Sequence, residues 1–265
     1  MYETSYHRAA SVADAASLIA KADDGKLLAG GQTLIPTMKQ RLAAPSDLVD
    51  IGQIAELKGI TESGGTLRIG AGTKHADVAT SDLVRRLIPG LASLAGGIGD
   101  PHVRHMGTIG GSVANNDPAA DYPSAVLALD ATVHTDKRDI AAADFFVGMF
   151  ETALEDGEII TAISFKVPEK SAYAKYPNPA SRYAMAGVFV ARHKDGSVRV
   201  AVTGAGQGGV FRAEAMEAAL AAKWSADAVA GIALEADDML SDIHGSAEYR
   251  ANLVTVMAKR AVAAA

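Results

Sequence analysis

Length, composition and charge limit what this chain can be. Its 265 residues suffice for one large or two modest domains, and 49% hydrophobic residues are ample for buried cores. The formal net charge of −6 argues against nucleic acid or an anionic membrane as a partner. Because the chain has no cysteine, disulfides, thiolate nucleophiles and a cysteine-held iron–sulfur cluster are excluded. No signal peptide or membrane-spanning run is present, so we expect a cytoplasmic protein without an integral membrane segment.

The first part of the chain alternates helix and strand signals. Ser11 and Asp14 predict a capped helix through Lys21, and residues 26–29 form a short apolar run typical of a buried strand. A glycine pair follows directly, and residues 34–42 return to helical spacing. Residues 47–51 predict another strand. The order of elements is therefore helix, strand, glycine loop, helix and strand.

The next elements indicate a change of topology. Residues 59–62 and 67–71 flank a Ser-Gly-Gly turn and predict a β-hairpin. Helices are predicted from Ser81 to Leu87, over residues 91–95 and over residues 124–129. The intervening stretch is rich in Gly, Asn, Asp and Pro, so we interpret it as a binding loop.

The last third of the sequence indicates antiparallel strands backed by helices. A mixture of short strands leads to a junction near Pro168, and the proline-rich residues 173–179 are typical of a boundary segment. Strands are predicted over residues 185–193 and 198–203, with helices from Arg212 onward. The fold class expected is α+β. We expect three parts, comprising residues 1–57, 58–168 and 169–265.

Glycine pairs occur twice at positions where we expect a strand to run into a helix. The first is Ala29-Gly30-Gly31-Gln32-Thr33 and the second is Thr108-Ile109-Gly110-Gly111-Ser112. Glycine lets the backbone approach a ligand closely and turn its N–H groups toward an anion. One such pair alone is more typical of an ordinary turn. Two of them predict a single long anionic ligand held at two places, such as a dinucleotide.

These motifs resemble the FAD-binding medium subunits of molybdenum hydroxylases. The resemblance is carried by residues 27–34, by Ile98-Gly99-Asp100-Pro101-His102-Val103-Arg104 and by residues 108–111. The family includes the medium subunit of aerobic carbon monoxide dehydrogenase and the flavin domain of xanthine dehydrogenase, and the likeness spans essentially the whole chain. It implies an FAD site built by two α/β subdomains, followed by a C-terminal domain of antiparallel sheet and helices.

The resemblance also implies the residues that bind FAD. Both glycine motifs would hold the pyrophosphate and ribityl regions mostly through backbone N–H groups. Asp121 would contact the flavin, Ile160 would lie beside the adenine, Lys175 would reach the cofactor and Tyr183 would lie over the isoalloxazine. Thr33 stands where the family more usually has Ser. The complete predicted set is Leu27, Leu28, Ala29, Gly30, Gly31, Gln32, Thr33, Leu34, Ile98, Thr108, Ile109, Gly110, Gly111, Ser112, Asp121, Ile160, Lys175 and Tyr183.

The resemblance to this family implies that substrate oxidation takes place on another chain. The partners would be a large molybdenum-cofactor subunit and a small 2Fe-2S subunit, assembled as a dimer of heterotrimers. No residue of this chain is a convincing acid, base or nucleophile toward an organic substrate, so we predict no catalytic side chain. Lys175 and Arg104 are the candidate cations for tuning the flavin potential.

Other interpretations stay open at the level of sequence. The chain could be a self-sufficient FAD-dependent oxidase or reductase, or a nucleotide-binding scaffold without redox work. Residues 204–209 fit the G-x-G-x-x-G pattern of nicotinamide-cofactor sites, although their strand is better explained as the second arm of a hairpin. His102 and His105 could face a common ligand, but no third His or Cys lies at a recognisable spacing, so no metal is predicted.

Overall fold

The computed structural model describes residues 1–265. Its N-terminal sheet has three parallel strands in the order β1-β3-β2. The elements are β1 (Ser5–Arg8), α1 (Val12–Ile19), β2 (Gly25–Leu28), α2 (Leu34–Lys39) and β3 (Asp47–Asp50). The Ser11 hydroxyl accepts a hydrogen bond from the N–H of Asp14, which caps α1 as predicted. Because the strands are parallel, their carboxyl ends lie at one edge, and the first glycine pair leaves β2 at that edge.

The central sheet is antiparallel throughout, with five strands in the order β4-β5-β10-β6-β7. Helices cover one of its faces and enclose the largest apolar core, which has 29 buried residues. A separate hairpin is formed by β8 and β9. The elements are β4 (Ile60–Ser63), β5 (Thr66–Gly70), α3 (His75–Thr80), α4 (Asp82–Leu87), α5 (Pro89–Gly96), α6 (Pro101–Met106), α7 (Ile109–Asn115), α8 (Tyr122–Ala128), β6 (Thr132–Thr135), β7 (Asp139–Ala141), α9 (Ala142–Phe145), β8 (Phe146–Gly148), β9 (Glu151–Thr152) and β10 (Ile160–Lys166).

The polar stretch over residues 96–123 is more helical than its composition indicates. The Asp100 carboxylate accepts from the N–H of Val103, and the Thr108 hydroxyl accepts from the N–H of Gly111. These side chains therefore begin α6 and α7 instead of making loop turns. The prediction that a strand precedes the second glycine pair is wrong, because Gly110 and Gly111 lie in the first turn of α7 and α6 comes before them.

The C-terminal sheet is antiparallel in the order β11-β12-β13-β14, as expected for this part of the chain. One face packs on α5 and α8 of the central core, and α10 and α11 cover the other. The elements are β11 (Lys170–Pro177), β12 (Ala184–Arg192), β13 (Val198–Thr203), β14 (Phe211–Arg212), α10 (Glu214–Ala222) and α11 (Ala247–Ala264). None of the helices has the length and apolar character needed to cross a membrane.

Two details of this sheet differ from the sequence-based expectation. Residues 173–177, interpreted as a boundary segment, belong to the eight-residue strand β11 because they pair with β12 along its length. The glycine-rich residues 204–209 connect β13 to β14, an antiparallel neighbour, so a short strand intervenes before α10. A nicotinamide fingerprint needs a parallel βαβ unit, which this connection is not.

The predicted boundaries at 57/58 and 168/169 fall between sheets, and the division into three domains stays a prediction.

Candidate cofactor site

A cavity of about 690 Å³ lies where the N-terminal sheet, the central helices and the start of the C-terminal sheet meet. This volume is within the range of about 300–1,000 Å³ that is usual for small-molecule and cofactor sites. Both glycine motifs line it, together with residues 117, 120 and 121 before α8 and residues 181–183 before β12. Sequence motifs separated by about eighty residues therefore face one space.

Most of the predicted site residues line this cavity. They are Leu27, Leu28, Ala29, Gly30, Gly31, Gln32, Thr33, Leu34, Ile98, Thr108, Gly110, Gly111, Ser112, Asp121, Ile160 and Tyr183. Ile109 and Lys175 are not among the lining residues. Ile109 is completely buried in the central core, because the first turn of α7 directs its side chain away from the cavity.

The first glycine motif presents a run of unpaired backbone donors. The N–H groups of residues 29–34 make no hydrogen bond to any protein acceptor. Gly31 has a φ of +69°, a left-handed conformation that other residues adopt only with strain. Six successive N–H groups beside a cavity form a site suited to an anion, because they bring partial positive charge without a cationic side chain.

The first glycine motif packs closely against the residues that lead into the second. A Cβ on Gly30 would lie 2.7 Å from the Cα of Gly107 and closer still to the carbonyl oxygen of Met106. A Cβ on Gly110 would lie 2.5 Å from the Cβ of Ala71. Glycine is thus required at these two positions for contact between protein segments, which places the first loop directly against the segment that leads into α7.

The second glycine motif differs from the first in its hydrogen bonding. The N–H of Ile109 donates to Thr73 O at 3.1 Å, and that of Gly110 donates to Ala71 O at 2.8 Å. The N–H groups of Gly111 and Ser112 donate to the hydroxyl and the carbonyl oxygen of Thr108. The expectation that both motifs offer free backbone donors therefore fails here. The Ser112 hydroxyl makes no hydrogen bond within the protein and is one side-chain donor that this motif offers.

Asp121 forms a buried polar cluster with two residues of β11. Its carboxylate lies 3.1 Å from the Lys175 ammonium and accepts a hydrogen bond from the Tyr173 hydroxyl. Lys175 also donates to the carbonyl oxygen of Gly97 at 2.8 Å. Burial raises the pKa of Asp121, and the Lys175 ammonium and the Tyr173 hydroxyl oppose that effect. Lys175 therefore contacts a residue that lines the cavity, Asp121, without lining the cavity itself.

His75 is a lining residue that sequence reasoning missed. It is 5% exposed, its ring contacts that of Tyr122 at a centroid distance of 5.3 Å, and its Nδ1 has no hydrogen-bond partner. Burial, together with the nearby Arg104 cation, lowers the pKa of His75 to about 4. The imidazole is therefore neutral at pH 7. Nothing in the sequence distinguishes a single histidine of this kind from the six others.

Glu158 was also missed as a cavity residue. It lies beside Ile159 and Ile160 at the start of β10 and is held by the Arg138 guanidinium at 3.1 Å. The hydrogen bond from Arg138 is the main reason that the pKa of Glu158 is lowered to about 2. The other lining residues that lie outside the predicted set of FAD-binding residues include Ala71, Val103, Asn115, Asp117 and Arg182.

The other sequence candidates lie outside the cavity. Arg104 donates to the carbonyl oxygens of Ile98 and Gly99 at 2.8 and 3.2 Å, so it holds the segment before α6. The His102 side chain is 97% exposed, and the ring of His105 bonds to Pro101 O. No group of three or more His, Asp or Glu side chains is arranged to hold a metal ion.

Residues 2–169 match the family described as the FAD binding domain in molybdopterin dehydrogenase. The chain belongs to this family. Residues 171–265 match the CO dehydrogenase flavoprotein C-terminal domain. The chain is therefore a medium, FAD-binding subunit of the molybdenum hydroxylase type, an FAD-dependent oxidoreductase subunit whose cofactor is FAD.

Relatives match this subunit over nearly their whole length. The carbon monoxide dehydrogenase medium chain of Hydrogenophaga pseudoflava is 35% identical, with 98% of this chain and 96% of the relative covered. The nicotine 6-hydroxylase medium subunit of Paenarthrobacter nicotinovorans is 36% identical, with 97% and 95% covered. The crystal structure of a cyanide-inactivated Cu,Mo-CO dehydrogenase contains a chain with a TM-score of 0.88 and 34% identity, covering 99% of this chain and 98% of the other.

Proposed function

We propose that this chain is the FAD-carrying electron-transfer subunit of a cytoplasmic molybdenum hydroxylase. In this role it receives electrons from iron–sulfur clusters on a partner and passes them to an external acceptor. The observation that carries the proposal is the run of six unpaired N–H groups over residues 29–34, all of which line a cavity large enough for a cofactor. An acidic chain needs such local donors to hold a pyrophosphate, since its net charge does not attract one.

The residues at hand fit FAD in character. Residues 29–34 and the Ser112 hydroxyl supply hydrogen-bond donors for phosphate and ribityl oxygens, and Ile159 and Ile160 supply apolar surface for a ring. When bound, FAD supplies one- and two-electron redox chemistry. The protein's part is to bind it, to keep the neutral His75 and the Asp121 cluster beside it and to leave an edge open to solvent, where Tyr183 is 47% exposed.

The partners belong to the same proposal. Because the chain has no cysteine, it cannot hold an iron–sulfur cluster through thiolates, and the clusters must lie on another chain. We therefore place them on a small 2Fe-2S subunit and substrate oxidation on a large molybdenum-cofactor subunit, in a dimer of heterotrimers. Relatives named for carbon monoxide and for nicotine are 35% and 36% identical to this chain, which supports placing substrate choice on another chain.

The first test is direct cofactor binding. The purified chain, stripped of any flavin, is titrated with FAD and with riboflavin, which lacks the pyrophosphate and adenosine. We expect tight binding of FAD and much weaker binding of riboflavin, because the N–H groups of residues 29–34 would bond to the pyrophosphate, which riboflavin lacks. A chain that carries no flavin and takes up no FAD refutes the proposal.

The second test is electron transfer. The FAD-loaded chain is mixed under anaerobic conditions with the reduced iron–sulfur subunit co-purified from the source organism, and flavin absorbance is followed. We expect reduction of the flavin and then reoxidation by an acceptor dye. A loaded chain that oxidises an organic substrate at a useful rate without partners would show instead a self-sufficient enzyme.

A further inference from the structure

The first residues of the glycine-rich segment 204–209, together with the end of β13, lie against one wall of the cavity. This wall is the loop of residues 117–121, hereafter the cavity loop, of which residues 117, 120 and 121 line the cavity. The Thr203 hydroxyl donates to Ala120 O at 2.6 Å and lies 3.1 Å from Pro118 O. The N–H of Gly204 donates to Pro118 O at 2.8 Å. Thr203 and Gly204 are hereafter the anchor pair.

The anchor pair is itself fixed from behind. Gly204 has a φ of +81°, and a Cβ there would lie 2.8 Å from the carbonyl carbon of Ala184. The buried guanidinium of Arg250 on α11 donates to Gly204 O at 2.9 Å and to Met185 O at 2.8 Å. The third glycine-rich segment is therefore held at one position between β12, α11 and the cavity loop.

The cavity loop depends on the C-terminal sheet for most of its external hydrogen bonds. Its carbonyl oxygens at residues 118, 119 and 120 accept from Gly204, from Ala184 at 3.4 Å and from Thr203. Its Asp121 side chain is held by Tyr173 and Lys175 of β11. The position of this wall relative to residues 29–34 is thus set by residues that do not touch the cavity.

We propose that Thr203 and Gly204 position the cavity loop for FAD, with Thr203 acting as a positioning residue through its hydroxyl. The inference rests on the proposed function, because it presumes that the cavity holds FAD. Thr203 is completely buried and does not line the cavity, so it acts only by fixing the peptides of Pro118 and Ala120. Binding sites depend on such supporting hydrogen bonds because small displacements of their contacting groups weaken binding.

The test compares variants of the full chain in FAD affinity and in flavin midpoint potential. Thr203→Val removes the hydroxyl at nearly constant volume, and Thr203→Ser keeps it. The matched control is Thr255→Val, since the Thr255 hydroxyl donates to Ile232 O at 3.0 Å within the C-terminal part and contacts no cavity residue. We expect Thr203→Val to raise the Kd for FAD about tenfold and to shift the potential. We expect Thr203→Ser to restore both, and Thr255→Val to change neither.

Three outcomes bear on the two proposals separately. If Thr203→Val and Thr255→Val lower the unfolding temperature of the FAD-free chain alike and bind FAD as wild type does, Thr203 is only structural and the inference is wrong. If the wild-type chain binds no FAD, the proposed function fails and this inference fails with it. If Thr203→Val binds FAD more weakly but Thr203→Ser does not restore binding, the hydroxyl is not the cause and the inference is overturned.

A second measurement needs no variant, in case Thr203→Val does not fold. Amide hydrogen exchange is followed in the wild-type chain with and without FAD. Because the N–H of Gly204 donates to Pro118 O, we expect FAD to slow exchange at Gly204 as well as over residues 29–34. Protection over residues 29–34 with unchanged exchange at Gly204 would contradict the coupling.

Discussion

Gly30→Ala tests whether contact between the first glycine motif and residues 106–107, which lead into the second, shapes the cavity. An added Cβ would lie 2.7 Å from Gly107 Cα and closer still to Met106 O, whereas ordinary van der Waals contact begins at 3.4 Å. Both partners are backbone atoms, so the loops must separate by at least about 0.7 Å. Overpacking of this kind costs about 1–3 kcal/mol of unfolding free energy. A displacement of about 1 Å can also cost up to about 100-fold in a function that depends on geometry.

We therefore expect Gly30→Ala to lower the unfolding free energy by about 2 kcal/mol and to raise the Kd for FAD at least about tenfold. Denaturant unfolding of the FAD-free chain gives the first quantity, and flavin fluorescence titration gives the second. Gly208→Ala is the matched control, because a Cβ there meets nothing within 4 Å. If Gly30→Ala matches Gly208→Ala in both measurements, the loops are not in the contact described, and the reasoning is refuted.

Three further predictions concern Ser112 and His75, which line the cavity, and Lys175, which pairs with the lining residue Asp121. Ser112→Ala should raise the Kd for FAD about fivefold and Ser112→Thr should not, because the N–H groups of this motif already bond to protein acceptors and leave the hydroxyl as a donor. Equal Kd values for Ser112→Ala and the wild-type chain would contradict this. Lys175→Met leaves the Asp121 carboxylate buried without its cation and should lower the unfolding free energy, measured by urea denaturation, by about 3–5 kcal/mol. Adding Asp121→Asn to the Lys175→Met chain should recover part of that loss. His75 has a pKa of about 4 when folded and about 6.5 when unfolded, so the unfolded state binds more protons between these values. The unfolding free energy of the wild-type chain should therefore fall by about 3 kcal/mol from this group as the pH drops from 6.5 to 4. The His75→Gln chain should lack this part of the pH dependence when its unfolding is measured over the same range.

The sequence predicted the elements whose local signals agree with their environment. Ser11 and Asp14 marked the start of α1, and the alternation of apolar residues over 198–203 marked β13. The cavity residues of the first glycine motif followed from the family resemblance and lie together in the structure. Their use as FAD ligands is still a prediction.

The sequence could not predict which hydrogen-bond partner each polar group has in the folded chain. Asp100 and Thr108 looked like loop residues, yet each caps a helix. The N–H groups of residues 109–112 looked free, yet Thr73, Ala71 and Thr108 accept from all of them. Lys175 was expected to reach the cofactor; it pairs at 3.1 Å with Asp121 and does not itself line the cavity, and its contact with FAD stays a prediction. These are tertiary pairings, which spacing along the chain does not encode.

The unpaired N–H groups of residues 29–34 also bear on the stability of the chain without its cofactor. Without an anion these donors can bond only to water, so we expect this segment to open locally more often in the flavin-free chain, and segments that open locally are the ones that proteases cut first. A ligand present at 100 times its Kd adds about 2.7 kcal/mol to the stability of the form that binds it. Proteolysis of the chain should therefore be slower with FAD than without it.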